Sequence, residues 1–321
     1  MLTAFLAVFP IFALMGAGFL AGRLRWLGST ASSELNRFVI WLGLPALMFQ
    51  VIAEADWARL WQPGFMAAYA LASCAVMFAV MAWHLRAGER VTGASLHGLN
   101  ACYANVGYMG FPLCEAVFGR ESFGLVSLSA ITTVGLLFAL GIIMMEVGRQ
   151  RAAHPLRLAG RVGVSVLRSP MVLAPLAGGL WAATGLALPQ PVSATLHMLG
   201  GAASPCALVA MGLFFAERRA EGGDTAAGGP PWGLVAVKLF GHPLLTGLLA
   251  WAVFQQSLFA TGVAVLCAAL PTGTGAFMLA DRYRADVRGT SMFILVSTAL
   301  SVFTLAGLIA LLNAQGLGTA P

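Results

Sequence analysis

Charge is what this chain has least of. Only 9% of its 321 residues are Asp, Glu, Lys or Arg, against about 25% in an ordinary soluble domain. A water-soluble globule is thereby excluded. Lysine is almost missing, with Lys238 the single example. Cysteines are few, and none of Cys74, Cys102, Cys114, Cys206 and Cys267 forms a CxxC pair, so each reads as a small buried hydrophobe. The N-terminus has no basic stretch ahead of its first apolar run. Its first basic residues, Arg23 and Arg25, follow that run, the reverse of a cleaved signal peptide. No Walker motif is present, which removes nucleotide-driven work.

What is present is apolar. Hydrophobic residues make up 59% of the chain and the mean hydropathy is +0.85, so the protein is expected to be integral to a membrane. Apolar runs cover 2–22, 36–54, 63–85, 95–118, 122–147, 170–188, 193–216, 232–254, 257–280 and 290–313. Each is long enough for a helix of about 20 residues to cross the hydrocarbon core, and they leave no room for a separate soluble domain. The expected fold is all-α, with ten transmembrane helices.

The pI of about 9.5 invites a nucleic-acid partner, which the placement of the basic residues removes. Arginines crowd the odd-numbered connections, from Arg23 to Arg288, while the even-numbered ones hold only Arg59 and Arg120. Basic loops stay in the cytoplasm, so both termini are expected outside an inner (plasma) membrane. Trp26, Trp57, Trp61, Trp83 and Trp232 fall at span ends, where amphipathic rings settle at headgroup depth. The basic segment 149–169 reads as a linker lying against anionic lipid, and Glu217–Pro231 as a flexible connector.

The second half echoes the first. Pro10, Pro45 and Pro112 match Pro170, Pro205 and Pro271 at offsets of 160, 160 and 159. The expected units are a five-helix repeat over 1–148, the linker over 149–169 and a second repeat over 170–321. An odd number of spans per unit sets the copies in opposite orientations, and paired interruptions in inverted repeats point to a transporter site at the bilayer midplane. The interruptions are NVGYMGFP (Asn105–Pro112) in the fourth run and LPTGTG (Leu270–Gly275) in the ninth. Non-helical backbone at membrane depth survives only inside protein or beside water.

Half-helices beginning at Pro112 and Pro271 would present free N–H groups and positive dipole ends to an anion. Asn105, Gly107, Gly110, Pro112, Pro271, Thr272, Gly273 and Thr274 are therefore the expected substrate-binding residues. Amide and hydroxyl groups contact a carboxylate and glycines allow close approach; tying down the unwound segment or packing helices is the plainer role. Pro45 and Pro205 are helix-break prolines. Lys238 either snorkels to the headgroups or faces the cavity, there holding carbonyls freed at Pro243 or alternating between substrate and a helix end. Glu115, in the first turn after Pro112, either stabilises a helix N-terminus or carries a proton. Glu146 and Asp281 are expected to pair with nearby arginines. His97 and His197 have no acid or cysteine at ligand spacing, so no metal is expected.

LNRFVIWLGLPALMF at 35–49, NVGYMGFPL at 105–113, RSP at 168–170, SPCALVAMGL at 204–213, KLFGHP at 238–243 and LPTGTGAFMLADRY at 270–283 together resemble the auxin efflux carrier family over the whole chain. The resemblance implies a scaffold part and a mobile part, with the fourth and ninth helices crossing at their prolines. It also places a substrate-contacting asparagine at Asn105 and makes malonate or another small carboxylate the expected solute. Unlike plant members, this chain has a short central loop and lacks the ionisable residues they carry in the third span. That leaves a proton or a sodium ion open as the coupling ion, and a homodimer open as the assembly. The expected function is secondary-active transport of a small organic anion by alternating access, without a cofactor and without enzyme chemistry. The alternatives are a sodium-coupled carrier of the related bile-acid type, a non-transporting sensor, or an enzyme built on the His84–Glu89 pair.

Overall fold

A computed structural model describes residues 2–54, 62–148, 164, 168, 170–220 and 232–315. Most of the linker 149–169, the connector beyond residue 220, and Trp57, Arg59 and Trp61 lie outside the described residues. Those described are helical, with one isolated β-bridge and no strand. In chain order the helices are α1 (Leu2–Arg23), α2 (Ala31–Ala53), α3 (Pro63–Arg86), α4a (Val91–Cys102), α4b (Val106–Phe118) and α5 (Arg120–Gly148). They continue with α6 (Pro170–Ala183), α7 (Gln190–Ala220), α8 (Trp232–Val253), α9a (Leu258–Ala269), α9b (Thr274–Arg282) and α10 (Val287–Ala314). Of these, α2, α3, α5, α7, α8 and α10 contain stretches long and apolar enough to cross a membrane. The halves of α4 and α9 are shorter because each helix is interrupted.

Several prolines are absorbed without a break. Val39–Gly43, Val106–Gly110 and Val237–Gly241 are π-turns, and each ends two residues before Pro45, Pro112 and Pro243 respectively. An α-helical proline removes a donor and clashes with the carbonyl one turn back; the wider turn moves that carbonyl aside. Pro112 accordingly lies inside α4b, and the true gap in the fourth helix is Tyr103–Asn105. Pro271 does lie in its gap. The expectation that both helices cross at prolines therefore holds on one side only.

Helices α1, α2, α6 and α7 pack mainly on one another. The seam between α1 and α7 is closed by Gly18 and Gly212, where a Cβ would stand 2.2 Å from the Val209 carbonyl oxygen and 2.0 Å from that of Met15. Backbones touch there, as small residues permit in membrane bundles. A large core cluster joins these helices to α4b, α5, α9a and α10. A second gathers α3, α4a, α5, α8, α9b and α10.

Candidate functional site

The gaps in α4 and α9 lie against each other. Ala104 and Thr272 form an antiparallel bridge, in which Asn105 N–H donates to Pro271 O at 2.9 Å and Gly273 N–H to Tyr103 O at 2.9 Å. Other groups at the crossing find partners as well. Thr272 Oγ1 donates to Asn100 O at 2.6 Å, and Thr272 N–H reaches Ser297 Oγ at 3.4 Å. Lys238 Nζ donates to Ala268 O at 2.8 Å. Backbone groups denied water cost several kcal/mol if left alone, so this mutual satisfaction is what makes the crossing tolerable.

Two helices begin beside the bridge, α4b at Val106 and α9b at Thr274. Their N-caps, Asn105 and Gly273, make no side-chain capping bond. Both positive dipole ends are therefore left without a capping acceptor from those side chains. Asn105 is buried, and its amide Nδ2 lies 3.2 Å from Met211 Sδ on α7. The Thr272 hydroxyl is committed to Asn100. Thr274 is the first residue of α9b. The buried Tyr108 donates its hydroxyl to Asn36 Oδ1 on α2. Gly107 faces side chains of Met171 and Leu44, and Gly110 those of Val106 and Val126. Tyr108, Asn36 and Met211 escaped the sequence reading because their convergence comes from three separate helices.

Lys238 does not snorkel to the surface. It is fully buried, and the carbonyl it holds belongs to the last turn of α9a, not to the kink at Pro243. A cation at a helix C-terminus is favoured by the dipole. Its ammonium also stands 3.3 Å from His242 Nδ1, and His242 Nε2 is 2.9 Å from Ser73 Oγ on α3. With the ammonium donating to Nδ1, the imidazole would be neutral and its Nε2 proton would face Ser73 Oγ. The chain Ser73–His242–Lys238–Ala268 ties α3 and α8 to the crossing. The HP pair in KLFGHP was the available signal for His242.

A cavity of about 1080 Å³ lies between α1, α2 and α7 on one side and α4b and α5 on the other. Its walls include Pro112, Glu115 and Pro205 of the expected residues; Asn105, Gly107, Gly110, Pro271, Thr272, Gly273 and Thr274 are not among them. Glu115 is nine residues beyond Val106, so it does not sit at a helix start. It pairs with Arg120 at 3.0 Å, and Arg120 Nη2 lies 3.3 Å from His197 Nε2. Glu54 accepts from Ser193 Oγ at 2.7 Å nearby. With Glu121 also on the wall, this lining holds three carboxylates and one guanidinium. Elsewhere, Glu146 accepts from the Tyr283 hydroxyl at 2.8 Å; Arg149 and Arg151 lie outside the described residues.

Six helices long and apolar enough to cross a membrane, with two broken helices pairing backbone to backbone, mark a membrane protein, and its family makes it a transporter. The chain belongs to the auxin efflux carrier family: the family description "Membrane transport protein" matches residues 3–309. It is 29% identical to a Rhizobium meliloti (strain 1021) protein named "Putative malonate transporter", over 97% of this chain and 96% of the relative. It is 23% identical to "Auxin efflux carrier component 8" of Arabidopsis thaliana, over 86% and 88% respectively. It is also 23% identical to "Uncharacterized transporter YfdV" of Escherichia coli (strain K12), over 95% and 96%.

Proposed function

We propose that the protein is a secondary-active carrier of a small organic anion, a carboxylate such as malonate or an auxin-like acid. It works by alternating access, from ten helices in two inverted five-helix repeats (1–148 and 170–321, joined by a cytoplasmic linker). The single observation that carries this reading is the pair of helix N-termini, α4b and α9b, starting side by side at the crossing without capping side chains. Each such end favours an anion by roughly 0.3–1 kcal/mol when exposed and up to about 2 when partly buried. A carboxylate can be held there with no fixed cation.

The repeat has support from element spacing. Val91 and Leu258, which open two 12-residue helices, stand 167 positions apart, and so do their ends, Cys102 and Ala269. Arg120 and Val287, which open α5 and α10, are also 167 apart. The proline offset of 159 between Pro112 and Pro271 is therefore not the register of these helices. In this reading α1, α2, α6 and α7 form the scaffold, while the elements around the crossing move. Asn105 and Thr274 contact the substrate, Gly107, Gly110, Pro271, Thr272 and Gly273 shape the crossing, and Pro112 and Pro205 flank the route to it. Lys238, with His242, couples transport to protons, because an ammonium already occupies the helix-end carbonyl that a sodium ion would need. The Glu115–Arg120 pair gates the mouth.

Uptake of labelled malonate and other mono- and dicarboxylates into proteoliposomes tests the reading, with sodium replaced by choline and a pH gradient imposed separately. The expected result is sodium-independent uptake that follows the proton gradient. Asn105→Ala should abolish substrate binding in a protein that still folds; unchanged affinity removes Asn105 from the site. Binding without movement across the bilayer would make the protein a sensor.

A further inference from the structure

We propose that His84, Glu89 and His97 form a binding site for a single divalent transition-metal ion of the zinc class, at the turn joining α3 to α4a. The site is separate from the crossing and the cavity and does not depend on the transport reading.

The turn is built to gather these three residues. His84 lies in the last turn of α3, which ends at Arg86 with Ala87 as its C-cap. Gly88 takes a left-handed conformation with φ of 88°, and the Glu89 amide folds back to donate to the His84 carbonyl at 3.1 Å. That return places the Glu89 side chain beside the imidazole it follows by five residues. His97 then arrives from two turns inside α4a. Sequence spacing hid this, because the acid that meets His97 lies eight residues earlier, across the start of a helix.

The donor atoms already stand at ligand separations. His84 Nδ1 is 3.0 Å from Glu89 Oε1, and His97 Nε2 is 3.4 Å from Glu89 Oε2. One ligand atom from each residue can be chosen so that all lie within 4.8 Å of one another. Ligands on a tetrahedral ion with bonds of about 2.0–2.2 Å stand roughly 3.3–3.6 Å apart, so small side-chain rotations suffice. The two imidazole rings lie nearly parallel, with centroids 4.2 Å apart and planes inclined by 18°. Both present a nitrogen to the same carboxylate. All three side chains are partly exposed, leaving an entry path and room for water as a fourth ligand.

Imidazole donors suit zinc, copper or nickel rather than magnesium or calcium. With two imidazoles and one carboxylate, zinc would staple the end of α3 to the start of α4a across the turn. His97 Nδ1 is buried and has no hydrogen-bond partner among the described residues, so the acceptor that usually orients a ligating histidine is missing among them. Such partners are typically worth 10–100-fold in affinity, which places the expected Kd on the order of micromolar, well short of a structural zinc site.

The test uses full-length protein in detergent, freed of any affinity tag and stripped with EDTA. Zn²⁺ is titrated by calorimetry, and Co²⁺ by its visible absorption. One equivalent should bind the unaltered protein, and Zn²⁺ should raise the thermal midpoint. Glu89→Gln and His97→Gln should each weaken binding at least about 10-fold. Absence of stoichiometric binding to the unaltered protein at about 100 μM free zinc, roughly 100-fold above a micromolar Kd, overturns the site and leaves histidine–glutamate ion pairs only. Full affinity in a His84→Gln/His97→Gln double variant overturns it equally, by locating the ion elsewhere.

Discussion

Helices α4 and α9 are interrupted at one crossing by different means. In α9 the cause is in the chain itself: Pro271 occupies the gap and excludes the residue before it from helical backbone, and Leu270 has ψ of 148°. In α4 no proline occupies the gap. Tyr103 and Asn105 leave helical geometry with ψ of 87° and 51°, while Pro112 sits well inside α4b behind a π-turn. What holds the fourth helix open is its neighbour, through the two backbone bonds at Ala104 and Thr272. One break is written locally and the other is imposed by tertiary pairing.

The comparison can be broken most readily at its cation. Lys238→Met should give the largest effect, with malonate transport reduced to about a tenth or less and a lowered thermal midpoint. The Ala268 carbonyl and His242 Nδ1 would lose their donor, at about 1–3 kcal/mol for each buried unsatisfied group. Transport assays beside thermal melting check this, and wild-type behaviour in both would show that the end of α9a needs no charge. Gly275→Ala should come next. Its Cβ would stand 2.5 Å from the Tyr103 ring, and overpacking of this kind costs about 1–3 kcal/mol. Tyr103→Ala in the same chain should recover part of the loss, measured by melting temperature.

The two prolines sharpen the contrast. Pro271→Ala frees Leu270 to continue α9a and should lower transport several-fold. Pro112→Ala should be the mildest change, within about 0.5 kcal/mol of the parent in stability, because the π-turn already accommodates that ring. Equal effects from the two alanine variants would erase the distinction between a local and an imposed break.

That distinction also explains what could be seen in the sequence. The interruptions were legible as glycine and proline inside apolar runs, and matched proline spacings were the reason to expect that they pair. The position of the gap in α4 was not, because the proline there marks a π-turn, whereas the extended residues Tyr103–Asn105 carry no breaker of their own. Lys238 was legible as an unusual charge in an apolar run. Its partner lies thirty residues on, in another helix, and only the packing of α8 on α9a reveals it. The cavity left no local signature, since its walls are drawn from α1, α2, α4b, α5 and α7. His97 shows the same limit at short range, with its acid eight positions away and on the far side of a helix start.

The seam at Gly18 and Gly212 carries its own consequence. A joint made of main chain on both sides has no rotamers through which to rearrange, so α1 and α7 should travel as one rigid beam throughout any working cycle. A library covering every codon should therefore return blank columns at these two positions while neighbouring lipid-facing leucines vary freely. Paired spin labels on the exposed backs of α1 and α7 should report one fixed distance whatever ligand is added.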